Sequence, residues 1–220
     1  MHIKLSNVYK LILIALVITG IMHRAGLFGG PLALHTLFSL TSISNAYVTV
    51  IAIIALINTH KSLNKMTAAL SRARTIGVMI ALLTGIGYHF FLLPQKFLEN
   101  PDYDVFAYGN IVAHYVMPVL MAIDWLSFDI HGRIKKFEPL IYVCVPAVYF
   151  ISASVYGYFG SKIPGKETSY VYFFMDVNKL GIAGVMRWFL ILFILILGLN
   201  YLIYIADHLL ARRNVLKEYC

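Results

Sequence analysis

Residues 186–209 read MRWFLILFILILGLNYLIYIADHL. Arg187 and Asp207 stand near the two ends, and no charged residue lies between them. A helix rises about 1.5 Å per residue, and about 20 apolar residues cross the hydrocarbon core of a bilayer. This stretch is therefore long enough to span a membrane. Working outward from it, five more apolar stretches lie at about 8–24, 34–58, 75–94, 106–128 and 138–160. Lipid offers no partner to unpaired backbone groups, so each is expected to be a helix. The sequence predicts an all-α integral membrane bundle of six transmembrane helices. There is no internal repeat, low-complexity run or linker, so one domain, 1–220, is expected.

Composition agrees. Of 220 residues, 60% are hydrophobic and 13% charged, whereas a soluble domain carries about a quarter charged residues. The net charge of +8 raises the possibility of nucleic acid, but no soluble domain is left to carry a basic face. In a membrane protein such charge reads as topology, because Lys and Arg collect in cytoplasmic loops. One side of the chain holds twelve: Lys4, Lys10, Lys61, Lys65, Arg72, Arg74, Arg133, Lys135, Lys136, Arg212, Arg213 and Lys217. The other holds six: Arg24, Lys96, Lys162, Lys166, Lys179 and Arg187. Both termini are expected in the cytoplasm. Lys4 and Lys10 precede a short apolar run, Leu11 to Ile21, in the manner of a signal peptide. No small-x-small site between Met22 and Gly30 suits cleavage, so the run reads as a retained first span. Cys144 and Cys220 make no disulfide framework and read as inert.

The polar residues inside the apolar stretches carry the functional information. Thr41, Asn45 and Thr49 are spaced i, i+4, i+8, which puts them on one helical face. If the second span begins at 34, Thr41 lies about 10 Å below its start. Asn110, His114, Met117 and Met121 form a second stripe, with His114 about 12 Å below the start of the fourth span. The third span runs outward and ends in Tyr88-His89. Three spans thus bring polar groups to one level of the outer leaflet. A lone Thr in a spanning helix ordinarily bonds its own i−4 carbonyl, and Ser42, Ser44 and Asn45 suit helix packing. A His near the surface, such as His89, is ordinarily interfacial. An ionisable group well inside a span, such as His114, reads as functional by default. Asp124 near the inner end of the fourth span is expected to snorkel or to pair with Arg133 or Lys135, and Asp207-His208 reads the same way. Asp176 and Arg187 flank the outer entry to the sixth span, where they pair with each other or Asp176 orients a histidine.

Several chemistries are absent from the sequence. It has no Gly-rich phosphate loop, no His-Glu-x-x-His zinc pair and no Gly-x-Ser-x-Gly elbow. No metal and no cofactor are expected.

The segments Phe38-Ser39-Leu40-Thr41-Ser42-Ile43-Ser44-Asn45, Tyr88-His89, His114-Tyr115-Val116-Met117-Pro118 leading to Asp124-Trp125, and Phe173-Phe174-Met175-Asp176-Val177 resemble the androgen-induced protein family. They resemble its bacterial six-span relatives more closely. The best-studied animal members are threonine hydrolases that cleave fatty acid esters of hydroxy fatty acids. The resemblance implies Thr41 as nucleophile and His114 as base, a lipid substrate, and residence in a bacterial inner membrane. In the animal pattern the His and the following Pro stand one residue further apart than His114 and Pro118, so His89 remains a second candidate base.

A Thr hydroxyl needs an adjacent base to lose its proton as it attacks. His suits this, since an ordinary pKa of about 6.5 leaves it mostly neutral at pH 7. The developing oxyanion needs donors; Asn45 is the first candidate and Asn110 the second. Tyr88 and Asp176 are further candidates at the site, and Met117, Met121, Phe90 and Phe91 are expected to wall acyl chains. Two other readings use the same residues. In one the polar cluster belongs to a non-enzymatic lipid or small-molecule binder or transporter. In the other the chain is structural or sensory, with Thr41 and His114 apart and separately satisfied.

Overall fold

The computed structural model of the protein describes residues 2–29, 31–58, 67–164 and 167–218, with side chains described between 4 and 212. Of the residues named above, Lys61, Lys65, Lys166 and Cys220, and the side chains of Arg213 and Lys217, lie outside the described residues. Six helices are long and apolar enough to cross a membrane, and no strand occurs among the described residues. They are α1 (His2–Arg24), α2 (Leu40–Asn58), α3 (Ala68–Glu99), α4 (Tyr108–Phe128), α5 (Glu138–Phe159) and α6 (Val177–Glu218). The chain divides into two compact units, Met1–Arg133 and Ile134–Cys220.

Helix starts differ from the apolar stretches for reasons found at the caps. Residues 34–38 form a 3₁₀ turn, and the backbone at Ser39 is extended. The Ser39 hydroxyl accepts the Ser42 N–H at 3.3 Å, which is N-cap geometry. So α2 begins at Leu40, and Thr41 lies in its first turn instead of well below its start. Thr67 caps α3 in the same way by accepting the Leu70 N–H, which starts that helix seven residues before the apolar stretch. α6 begins at Val177 and breaks at Gly181, whose φ of 65° and ψ of 169° suit a residue without Cβ.

In the first unit, α1 packs on α2 and α4, and α3 packs on the same two, so the four helices close a ring. Lipid supplies little hydrophobic drive between helices, and close approach falls to small residues. A Cβ at Gly77 would lie 3.1 Å from Met121 Cε and 3.7 Å from Val48 Cγ2, so α2, α3 and α4 meet there. One at Gly85 would lie 2.9 Å from the His114 carbonyl oxygen.

The inner end of this unit holds a buried ionic cluster. Asp124 takes Lys10 Nζ at 2.9 Å on one oxygen and Arg74 Nη2 at 2.6 Å on the other. Arg74 Nε also bonds Asp129 at 2.6 Å. Asp124 therefore pairs with α1 and α3, not with Arg133 or Lys135 as its sequence position suggests. The ring brings α1 and α3 against α4 at this depth, and their cations are nearer than the loop that follows.

In the second unit, α5 and α6 pack around a 3₁₀ turn, Phe173–Met175. Phe174 contacts Phe150, Tyr172 and Trp188. Asn200 Nδ2 bonds the Pro139 carbonyl at 2.9 Å, and Asp207 accepts the Ile134 N–H at 3.1 Å. Asp176 is the N-cap of α6. Its Oδ1 accepts the N–H groups of Asn178 and Lys179, and its Oδ2 accepts the Thr168 hydroxyl. Helix capping occupies its carboxylate, where the sequence reading offers Arg187 or a histidine.

Candidate functional site

Two helical turns near the outer end of the first unit are π-helical: Tyr88–Leu92 in α3 and Val112–Val116 in α4. Each contains one candidate histidine, and each ends two residues before a proline, Pro94 or Pro118. A proline has no N–H to give to the carbonyl four residues back, and its ring crowds that carbonyl. The ladder relaxes to i→i−5 bonds, Leu93 N–H to Tyr88 O and Met117 N–H to Val112 O. Such π-bulges are frequent at functional sites.

The turn holding His114 packs against α1, α2 and α3, so the imidazole lies inside the ring of helices, 5% exposed. It bonds the Thr84 backbone, and its Nδ1 is buried with no hydrogen-bond partner. Nε2–H therefore donates to the Thr84 carbonyl, and the Nδ1 lone pair is left as an acceptor. Tyr88 stacks on the same ring, with centroids 3.8 Å apart and planes 11° from parallel. Tyr88 is itself buried and donates to the Tyr103 hydroxyl at 3.3 Å.

Thr41 is 3% exposed, and Asn45 one turn below is 1% exposed. The hydrogen bonds of the first turn run through its serines. Ser39 Oγ and Ser42 Oγ both donate to the Thr36 carbonyl at 2.8 Å, and Ser44 Oγ donates to the Thr41 carbonyl. Thr19, Thr49, Thr75 and Thr84 all bond a carbonyl three or four residues back. The Thr41 hydroxyl makes no such bond, nor any other hydrogen bond among the described residues. This is the reverse of what a threonine in a spanning helix ordinarily does.

Helix register brings Thr41 and His114 level. Val48 and Met121 meet at Gly77, and α2 and α4 run in the same direction. Thr41 lies seven residues above Val48, and His114 lies seven above Met121. Seven residues of α2 are about 10 Å of rise and nearly two full turns, so Thr41 returns to the face that meets at Gly77. In α4 the π-turn shifts that register, and it is the contact of Val112–Val116 with α2 that places His114 near the same level. Beneath them the core is apolar. Leu13, Val17, Val48, Met79, Met117 and Met121 are each 1% exposed or less, and the ionic cluster follows further in. The unit is thus layered, with polar groups outermost, an apolar floor that includes Met117, and charges innermost.

The remaining sequence candidates fall outside this layer or are engaged. His89 is exposed and its Nδ1 bonds the Tyr115 hydroxyl at 3.1 Å. Asn110 Nδ2 donates to the Asp104 carbonyl at 3.0 Å, closing the loop above α4. Phe90 is 65% exposed and turns away from the core. Asp176 belongs to the second unit as a helix cap. The sequence reading missed the Thr84 carbonyl that fixes the imidazole, the Tyr88 stack on it, and Gly85, which lets α3 come close enough for both. The pattern Thr84-Gly85-x-x-Tyr88 is a weak signal, since only packing gives it a partner. Comparison with protein families, with curated proteins and with solved structures finds no match.

Proposed function

We propose that the protein is an intramembrane hydrolase of lipid esters, of the fatty acid ester of hydroxy fatty acid type, residing in a bacterial inner membrane. Thr41 is the nucleophile and His114 the base. The observation that carries this reading is the buried, unpartnered Nδ1 of His114, beside a helix whose one uncommitted threonine lies at its level. Burying a polar atom without a partner costs about 1–3 kcal/mol, and a transient partner in the reaction gives that cost a use. Nδ1 takes the Thr41 proton as Oγ1 attacks the ester carbonyl. Nε2–H keeps its bond to the Thr84 carbonyl throughout, so the ring does not turn when it becomes cationic. The proton passes to the leaving alcohol, an acyl ester forms on Thr41, and water releases the acid by the same route.

Donors for the oxyanion lie close by. The first N–H groups of a helix lack intrahelical partners, and Thr41 is in the first turn of α2. Asn45 supplies a side-chain amide on the same buried face, whereas Asn110 is engaged with Asp104. The apolar floor supports hydrolysis over transport, since a solute crossing this unit would have to pass several fully buried methionine and aliphatic side chains.

The test uses purified wild type, Thr41→Ala, His114→Ala and His89→Ala, with turnover of a branched lipid ester and labelling by a fluorophosphonate. Thr41→Ala is expected to abolish both. His114→Ala is expected to lower turnover about 10²- to 10⁴-fold, the usual worth of a general base. Full labelling of Thr41→Ala would remove the nucleophile. An active His114→Ala beside an inactive His89→Ala would move the base to His89.

A further inference from the structure

Between Arg24 and Lys61 the chain has no Asp, Glu, Lys or Arg, yet its first part is not spanning helix. α1 ends at Arg24 and α2 begins at Leu40, so the apolar run at 31–38 falls in the connection between two spans. That connection is built inside out. Its polar groups turn inward. The Ala33 N–H donates to the Ala25 carbonyl at 3.0 Å, and Thr36 Oγ1 donates to the Ala33 carbonyl at 2.8 Å. The Thr36 carbonyl in turn receives Ser39 Oγ and Ser42 Oγ at 2.8 Å. Its apolar side chains turn outward. Leu32, Leu34 and Leu37 are 64, 51 and 37% exposed, and no residue of the 3₁₀ turn is buried. A contiguous apolar surface of this kind marks contact with a membrane or a protein. The connection between α3 and α4 lies at the same end, since Tyr108 at the start of α4 bonds Thr19 near the end of α1 at 2.7 Å. It is made for water, with Asp102 and Asp104 exposed and Asp104 accepting the Phe106 N–H.

The exposed leucines continue a surface that belongs to lipid. Ile43, Val50, Ile54 and Ile57 are exposed and spaced i, i+7, i+11, i+14, which is one stripe along α2 and the face a spanning helix turns to acyl chains. Ile43 opens that stripe one turn from Ser39, whose carbonyl takes its N–H at 3.0 Å. Both ends of the connection are held at the ends of spans, so the bilayer is the apolar medium within its reach. We propose that residues 31–38 form a membrane-inserted surface whose partner is the outer leaflet, with Leu32, Leu34 and Leu37 among the upper parts of the acyl chains. Non-helical backbone is not tolerated facing lipid deep in hydrocarbon, so the main chain stays at headgroup level and only the leucines reach below it. The first turn of α2, which holds Thr41, then begins beneath lipid instead of beneath water. The inference goes beyond the hydrolase reading and stands without it.

The experiment places a nitroxide label in the full chain, in phosphatidylcholine–phosphatidylglycerol vesicles, with Cys144→Ser and Cys220→Ser as background. Leu32→Cys and Leu34→Cys carry the test labels, Val50→Cys is the lipid reference on α2, and Asp102→Cys is the water reference. All four side chains are exposed, so labelling them leaves the core intact. Collision with oxygen, which concentrates in hydrocarbon, is compared with collision with a nickel chelate, which stays in water. The oxygen-to-nickel ratio at Leu32 and Leu34 is expected to stand several-fold above that at Asp102 and to approach that at Val50. A ratio equal to that at Asp102 would overturn the proposal, because the segment would lie in water. Shielding from both reagents would also overturn it, because protein would cover the leucines, whether a second copy or another part of the chain. Turnover gives a separate readout. Leu32→Asp with Leu34→Asp is expected to raise KM several-fold for a branched ester held in vesicles and to leave hydrolysis of a soluble butyrate ester unchanged. Wild type inactive on both esters would count against the hydrolase reading, while the collision ratios decide the inserted surface by themselves.

Discussion

Replacing Gly85 by alanine tests whether the contact between α3 and α4 positions His114, the proposed base. A Cβ at this position would sit 2.9 Å from the His114 carbonyl oxygen and 3.2 Å from Pro118 Cγ. Ordinary contact begins near 3.4 Å, so the helices must part by about 0.5 Å, and the obstacle is backbone and a proline ring that cannot swing aside. The adjacent Thr84 carbonyl holds His114 Nε2, and this bond lengthens with the separation. A displacement of about 1 Å at a catalytic group can cost about 100-fold, so about 0.5 Å is expected to lower kcat/KM about 10-fold. Stability is expected to change little. Overpacking costs about 1–3 kcal/mol, and alanine recovers about 1 kcal/mol over glycine within a helix. Turnover of the branched ester, with unfolding in mixed micelles as the stability measure, separates the two effects. Gly198→Ala is the control, because a Cβ there meets nothing within 4 Å. A Gly85→Ala protein with wild-type kcat/KM would refute the claim that this contact positions His114.

Asp124→Asn leaves Lys10 and Arg74 without their shared carboxylate, and losing one partner of a buried pair costs about 3–5 kcal/mol. Unfolding in mixed micelles should show that loss, with Lys10→Met recovering part of it; a loss below about 1 kcal/mol would mean the cluster is wet. Tyr88→Phe keeps the stack on His114 and drops only the 3.3 Å bond to Tyr103, so its turnover should stay near wild type, whereas Tyr88→Leu should lose several-fold. If the two variants fall equally, the ring stack is not what matters. Asp176→Ala removes the cap of α6 and should cost about 1 kcal/mol without altering fluorophosphonate labelling; a labelling defect would tie Asp176 to the site.

The six helices were legible because each needs only length and apolarity, and the run from Phe189 to Leu199 has no other reading. Helical rise counted from residue 34 sets Thr41 about 10 Å inside its helix, but the second helix starts six residues later than the apolar run, so Thr41 lies in its first turn. Ser39 ends the preceding turn by capping, and apolar content carries no mark of that. Asp124 was legible as a charge near a helix end that would snorkel or pair with a nearby cation. Which cations answer it depends on helix order around a ring, and Lys10 and Arg74 stand 114 and 50 residues away in the chain. Asn110 and Asn45 look alike in sequence, one turn from a candidate residue each. Only the loop that folds back through Asp104 takes the first out of consideration.

Pro118 was visible four residues after His114, and its consequence is the part that sequence spacing hides. In a regular helix the proline ring would press on the His114 carbonyl. The π-turn moves Met117 N–H to the Val112 carbonyl and leaves the His114 carbonyl out of the ladder. That oxygen then faces α3, where any residue with a Cβ would crowd it, and Gly85 occupies the position. The close approach carries the Thr84 carbonyl to Nε2 and Tyr88 to the ring face. Fixing Nε2–H in this way assigns the lone pair to Nδ1, so the protonation geometry of the imidazole is decided by a proline, a glycine and a backbone carbonyl, none of which would touch the ester. If His114 is the base proposed above, its setting by helix packing cannot readily be transplanted with two side chains alone, and short motifs around Thr41 and His114 understate how much of α3 the proposed site requires.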